Sequence, residues 1–286
     1  MEFWLVTTDH FSDKILFRDE EDFKVAMNYV AVVKCVTGVN VLAFILMSNH
    51  VHFVLECMEK EAMDYINRFK GLYGKHFQRK YGVKEYMRRN DIDIRPLKME
   101  DESLHRAIAY VLMNSVSARL CVYSNEYRWG SGRAYYSYMV EEGVRLGSMS
   151  QRAQQRALHS WVSLNPEWIL LKDGYISPSC YVSVKFVEAL YRSSKRMKYF
   201  LDNSSKARPK QELWESSPSF SDQILFAAAS EIKRSLFQKG ENDSLSEEQN
   251  SELMRQLHRR FSSDINQLCR ITGMTNEEAL KVFDSF

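Results

Sequence analysis

The stretch that most restricts how this chain can fold is residues 39–56. Val39 to Met47 is an apolar run, Ser48 and Asn49 are turn formers, and His50 to Glu56 alternates in polarity. A run of nine residues, apolar but for Asn40, is too short to span a bilayer and suits a buried strand. The turn and the alternating segment that follow make the region a candidate β-hairpin. Because side chains alternate along a strand, His50 and His52 project to one face while Val51 points into the core.

The flanking segments fit around that hairpin. Phe3 to Thr8 reads as a strand. Asp19 to Val36 reads as a helix, opened by acids that suit a helix N-terminus and closed by Gly38. Met63 to Tyr81 is a second helix ending at Gly82. Ile92 to Leu97 is a strand that Pro96 confines to an edge. Ser103 to Leu120 is a helix with Ser103 as N-cap. The order strand, helix, strand, strand, helix, strand, helix is a split βαβ, ferredoxin-like pattern in an α+β protein. It predicts an antiparallel sheet with helices on one face and the other face free for a ligand.

After about residue 140 the texture changes. Gln151–Ser160, Tyr181–Asp202 and Phe220–Gln238 read as helices, Asp173–Pro178 as a turn, and Asn203–Pro209 as a linker. Ser262–Thr272, Gly273 and Thr275–Phe283 read as helix, turn and helix, with Thr275 as cap. This spacing suits a helix-turn-helix that touches DNA and equally a plain packing hairpin. The expected organisation is a catalytic domain over 1–140 and an all-helical accessory DNA-binding region over 150–286.

Composition narrows the function classes. The 45% hydrophobic and 13% aromatic content is enough for a real core. The five cysteines are scattered and odd in number, which argues against a disulfide framework or a structural zinc site. The N-terminus has no signal-peptide pattern, so the expected setting is cytoplasmic, at the nucleoid, with no membrane partner. Net charge is only +2, but Arg68 to Lys98 holds ten Lys/Arg against three Asp/Glu, and Lys185 to Lys210 eight against two. Concentrated positive charge among aromatics is the footprint of a polyanion binder, whereas a bare charge run also suits a solvated helix face. Arg68, Lys70, Lys75, Arg79 and Lys80 fall on one predicted helix with Tyr73 and Phe77. With Arg95 and Lys98 they are the candidate phosphate contacts.

Two local patterns carry chemistry. His50 and His52 on one strand face are either paired metal ligands or two hydrogen-bonded histidines. Tyr110 and Asn114, spaced i, i+4, share a helix face beside the apolar stripe of Leu104, Ile108, Val111 and Leu112. An Asn inside a helix has poor propensity and calls for a reason. Two imidazoles and an amide oxygen make a three-ligand site with room for a phosphate oxygen, and a tyrosine on the amide's helix is carried to it. No P-loop or GxGxxG is present.

Leu46-Met47-Ser48-Asn49-His50-Val51-His52 resembles the HUH motif of single-tyrosine transposases, and the chain resembles most the REP-associated tyrosine transposases. Tyr110-Val111-Leu112-Met113-Asn114-Ser115-Val116-Ser117-Ala118 resembles that family's tyrosine-helix segment. Tyr127-Arg128-Trp129-Gly130-Ser131 resembles the aromatic-Trp-Ser segment closing its catalytic domain, and Ile15 to Asp22 its first strand-to-helix connection. The similarity covers about residues 1–140 in matching order. Ser115 stands where the family has Pro, and Ser117 where it has Arg.

The resemblance implies a ferredoxin-like HUH fold and cleavage and rejoining of single-stranded DNA near hairpins through a 5′-phosphotyrosine. Its metal is Mg²⁺ or Mn²⁺. Carried over, Tyr110 is the nucleophile, His50 and His52 are metal ligands, and Asn114 is the third. The acting species is a monomer or homodimer. The competing readings are a catalytically retired hairpin-DNA binder, a relaxase or replication initiator with the same chemistry, and an RNA-binding module.

Overall fold

The computed structural model describes all residues except 1, 9–14, 85–91, 119, 138–140, 205–221, 241–242, 262, 264 and 285–286. The chain divides into two compact units. The first comprises Met1–Asp9, Glu20–Met47 and Val51–Arg208. The second comprises His10–Asp19, Ser48–His50 and Pro209–Phe286.

The first unit is mixed α+β, built on a four-stranded antiparallel sheet. Its strands are β1 (Phe3–Thr8), β2 (Asn40–Met47), β3 (His50–Glu56) and β4 (Ile92–Leu97). The sheet order is β2-β3-β1-β4, so β3 lies between β1 and β2, the two strands joined by helix α1 (Glu20–Thr37). Register is fixed by hydrophobic alternation, since a slip of one residue would turn every side chain over. Val6 faces Phe53 on one side and Ile94 on the other, and Thr7 faces His52 and Asp93.

The face carrying Phe53 packs against α2 (Glu59–Tyr81), where Phe53 meets Tyr65 at 5.4 Å and Phe69 at 5.5 Å between ring centroids. Three acids open α1, as the helix dipole favours. One of them, Asp22, is fully buried and clasps α1 to α2. It accepts hydrogen bonds from His76 Nε2 (3.1 Å), Lys80 Nζ (3.0 Å) and Tyr81 Oη (2.9 Å). Gly82 ends α2 in the left-handed conformation, φ 73°, where glycine carries no Cβ penalty.

Helix α3 (Ser103–Leu112) stops earlier than the expected Ser103–Leu120 and is followed by a single turn, α4 (Asn114–Ser117). The cause is local. Asn114 Nδ2 donates back to the Tyr110 carbonyl at 2.8 Å, competing with the backbone for the helix's own acceptors.

The edge of β2 is covered by later chain. Ile45 bridges Gly130 and Val41 bridges Val182. The Leu46 amide donates to the Trp129 carbonyl (2.8 Å), the Ser131 amide to that of Phe44 (3.0 Å), and the Ser183 amide to that of Val41 (2.9 Å). Covering an exposed edge removes a template for aggregation.

The rest of the unit holds α5 (Gln151–Leu158), α6 (Val184–Tyr191) and α7 (Ser194–Asp202), with a small antiparallel ribbon of β5 (Gly143–Arg145) and β6 (Ile169–Leu171). The ribbon corrects the all-helical reading of the region after 150, because three residues are too few to show a strand period. The expected single helix Tyr181–Asp202 is two helices. Arg192 ends α6 in the left-handed region, φ 63°, and Ser193 caps α7 by accepting from the Arg196 amide. No helix of the described residues is long and apolar enough to cross a membrane.

The second unit is helical: α8 (Asp222–Phe237), α9 (Glu247–Phe261), α10 (Ile265–Thr272) and α11 (Asn276–Asp284). Leu225, Ile232, Leu253, Leu257, Leu268 and Ala279 share one apolar core with Ile15 from the N-terminal segment. Gly273, at φ 74°, makes the turn between α10 and α11. Thr275 and Glu278 then form a reciprocal cap, Thr275 N to Glu278 Oε2 at 2.8 Å and Glu278 N to Thr275 Oγ1 at 3.3 Å. Most of the expected 203–209 linker lies outside the described residues.

Candidate functional site

His52 sits mid-strand in β3 at 1% exposure. Its cross-strand partner Thr7 shares its face, and Thr7 Oγ1 lies 2.8 Å from His52 Nδ1. On that face the Tyr110 ring of α3 meets the His52 ring edge-on at 5.5 Å between centroids. The sheet and helix α3 therefore bring these two candidate residues together from positions 58 apart in sequence.

Tyr110 is half-buried, and burial pushes its phenol pKa above the usual value of 10.0, with the Arg95 guanidinium pulling the other way. Arg95 projects on the same face as His52, since it pairs with Leu5 while Thr7 pairs with Asp93. Its side chain is mostly exposed and pairs with Asp93, Nε to Oδ2 at 2.7 Å.

His50 opens β3 two residues earlier and is buried at 6% exposure. Its Nδ1 lies 2.9 Å from Asn49 Oδ1. An amide oxygen only accepts, so Nδ1 carries the proton there and Nε2 the lone pair. Both histidines thus have the ring nitrogen nearer the backbone engaged by a neighbour that orients the ring, the arrangement that supports metal-ligating imidazoles. Neither Thr7 nor Asn49 stands out in sequence. The signal that could have found Thr7 is its register opposite His52. Asn114 is buried, with its amide nitrogen donating to the Tyr110 and Val111 carbonyls, which leaves Oδ1 as the atom available to a ligand. Among the described residues no cluster of three or more His, Cys, Asp or Glu assembles, so a metal here would need the Asn114 amide or ligands of other types.

The candidate phosphate contacts separate. Arg68 pairs with Asp64 at 2.6 Å, Lys80 with Asp22, and Arg95 with Asp93. Lys70 is buried at 8% exposure, and Lys98 is exposed after β4. Lys75 and Arg79 are exposed on α2 and line a cleft. That face of the sheet is the one carrying Phe53, away from Tyr110.

No protein-family model matches the chain, and no curated protein does. Among solved structures, the chain is similar to one described as a REP-associated tyrosine transposase bound to a REP hairpin. The TM-score is 0.34 and the identity 11%, over 46% of this chain and 77% of that one.

Proposed function

We propose that this chain is a ferredoxin-like HUH single-tyrosine transposase that cuts and rejoins single-stranded DNA near hairpins. The observation that carries this reading is the approach of Tyr110 to His52 on one sheet face, with Asn114 tied to the Tyr110 carbonyl. His50, His52 and Asn114 would hold Mg²⁺ or Mn²⁺, and the oriented imidazoles fit that role. A divalent ion there would polarise the scissile phosphate.

The chain's own residues do the rest. Tyr110 Oη attacks phosphorus and forms a phosphotyrosine ester with the 5′ side, while the bond to the 3′ oxygen breaks. The proton lost by the phenol is matched by the one gained on the 3′ hydroxyl, so phosphodiester bonds are conserved and no nucleotide cofactor is consumed. Half-burial of Tyr110 holds the ring in place beside His52. Helices α10 and α11 supply an accessory DNA contact.

A second reading, a hairpin-DNA binder that no longer cuts, draws on the burial of both imidazoles and on Ser115, which is fully buried where the resembled family has Pro. The two separate in one experiment. Single-stranded hairpin oligonucleotides in Mg²⁺ or Mn²⁺ should give a denaturant-resistant protein–DNA adduct with the natural chain and none with Tyr110→Phe. Hairpin binding without any adduct would favour the second reading.

A further inference from the structure

On the Phe53 side of the sheet, two adjoining openings form one cleft within the first unit. One, of about 740 Å³, is lined by Arg79, Arg152, Gln155, Arg156, His159 and Trp161. The other, of about 600 Å³, adds Lys75, Gln78 and Tyr29 and shares Arg79, His159 and Trp161. Trp161 is 84% exposed. A side chain of that size left to solvent beside a cleft marks a binding surface more often than a packing one.

Four cations gather around it: Lys75, Arg79, Arg152 and Arg156. Some exposed cations of this molecule are neutralised by carboxylates, as in Arg68–Asp64, Arg145–Glu167 and Lys198–Asp202. Among the described residues Lys75, Arg79, Arg152 and Arg156 have no such partner, and all four are exposed. Among the described residues, the Glu21 carboxylate reaches the lining at His159, 3.6 Å away. Burial lowers the His159 pKa below its usual value, so the positive charge at neutral pH comes from the four Lys and Arg side chains.

The Trp161 segment is also held. His159 ends α5 in the left-handed region, φ 49°. Asn28 Nδ2 donates to the Ala157 carbonyl at 3.0 Å and Tyr29 Oη to that of His159 at 3.5 Å. The Ser160 hydroxyl accepts from the Val162 amide. A pre-set aromatic platform loses little entropy when a ligand arrives.

We propose that this cleft is a second nucleic-acid site, distinct from the Tyr110 face, in which a base of a single strand stacks on Trp161 and the phosphodiester backbone runs past Lys75, Arg79, Arg152 and Arg156. Unneutralised cations tracking a backbone, with an aromatic face for a base, are the two parts such a site needs. An acidic peptide would use the cations and leave the indole idle. A bilayer presents a flat surface, which meets protruding aromatics rather than one set beside a cleft.

The site stands whether or not Tyr110 cuts DNA, so it is tested without divalent metal. A labelled hairpin-free oligothymidine is titrated with the whole chain in chelator, read by anisotropy across a salt series. Trp161→Ala should weaken binding about tenfold and Trp161→Phe should restore most of it, as loss and recovery of one stacked base require. Arg152→Ser with Arg156→Ser should lower the salt slope by roughly 1.4, at about 0.7 per phosphate contact on a single strand. These side chains are exposed, so unchanged thermal midpoints accompany the result. Undiminished binding by Trp161→Ala overturns the proposal. So does Trp161-dependent binding to anionic vesicles with no oligothymidine binding, which would assign the cleft to a membrane. An adduct-negative chain that still shows the Trp161 dependence leaves this site standing and removes only the cutting reaction.

Discussion

At the scale of single residues, Tyr110 is set between two opposing influences. Burial raises its pKa and Arg95 lowers it. An acid with a raised pKa has a smaller phenolate fraction at neutral pH, by tenfold for each unit. Removing Arg95 therefore raises the pKa further, and Arg95→Ala should move the rising limb of adduct formation against pH to higher pH. Asp93 neutralises Arg95, so Asp93→Asn should move the same limb to lower pH. Both shifts should shrink as salt is added, since the Arg95 side chain is mostly exposed. A pH series of adduct yield on the two variants checks the signs. The alternation rule was enough to put His50 and His52 on one side, because it follows from strand geometry alone. That Thr7 and Asn49 would orient those rings was not legible. Thr7 meets His52 only through cross-strand register, and nothing in an isolated Ser48-Asn49 turn tells where its side chain will point.

At the scale of elements, the strands were legible where apolar runs were bounded by turn formers. β3 and β4 begin and end where the pattern says, and β2 differs by one residue. Helices failed where one side chain interrupts a continuous periodicity, as Asn114 does after α3 and Ser193 does between α6 and α7. The cover on the β2 edge was not legible either, because it comes from residues more than 80 positions later. It has a sharp requirement at Gly130, where an added Cβ would lie 3.0 Å from the Phe44 carbonyl oxygen and 3.2 Å from Ile45 Cγ1. Gly130→Ala should destabilise the first unit by about 1–3 kcal/mol, the usual cost of overpacking. Gly71, in the middle of α2, has open space around it, so Gly71→Ala should stabilise by roughly 0.5–1 kcal/mol. Urea midpoints of the two variants should move in opposite directions.

At the scale of the whole molecule, the second unit turns on one buried carboxylate. Asp222 Oδ2 accepts from Ser48 Oγ (2.9 Å) and Arg270 Nε (2.9 Å), and Oδ1 from Arg270 Nη2 and Gln267 Nε2 (3.0 Å each). Taking away one partner of a buried pair leaves an uncompensated charge. Arg270→Ala should therefore cost about 3–5 kcal/mol, and replacing both partners by apolar residues of similar size should cost much less. Denaturation followed by a probe in α8–α11 measures both. This connection is what sequence could least reveal: Ser48 looks like an ordinary turn residue, and its partner is 174 positions away.

The second unit is assembled from three separate stretches, 10–19, 48–50 and 209–286, and that has a consequence for synthesis. Ile15 and Ser48 leave the ribosome early, but the helices that receive them are made last. At about 5–20 residues per second, the wait between Ser48 and Asp222 is on the order of ten seconds or more. Through that interval Ile15 has no core to enter, and early release or a premature stop would strand it. The nascent chain should therefore engage a holding chaperone near its N-terminus until translation ends.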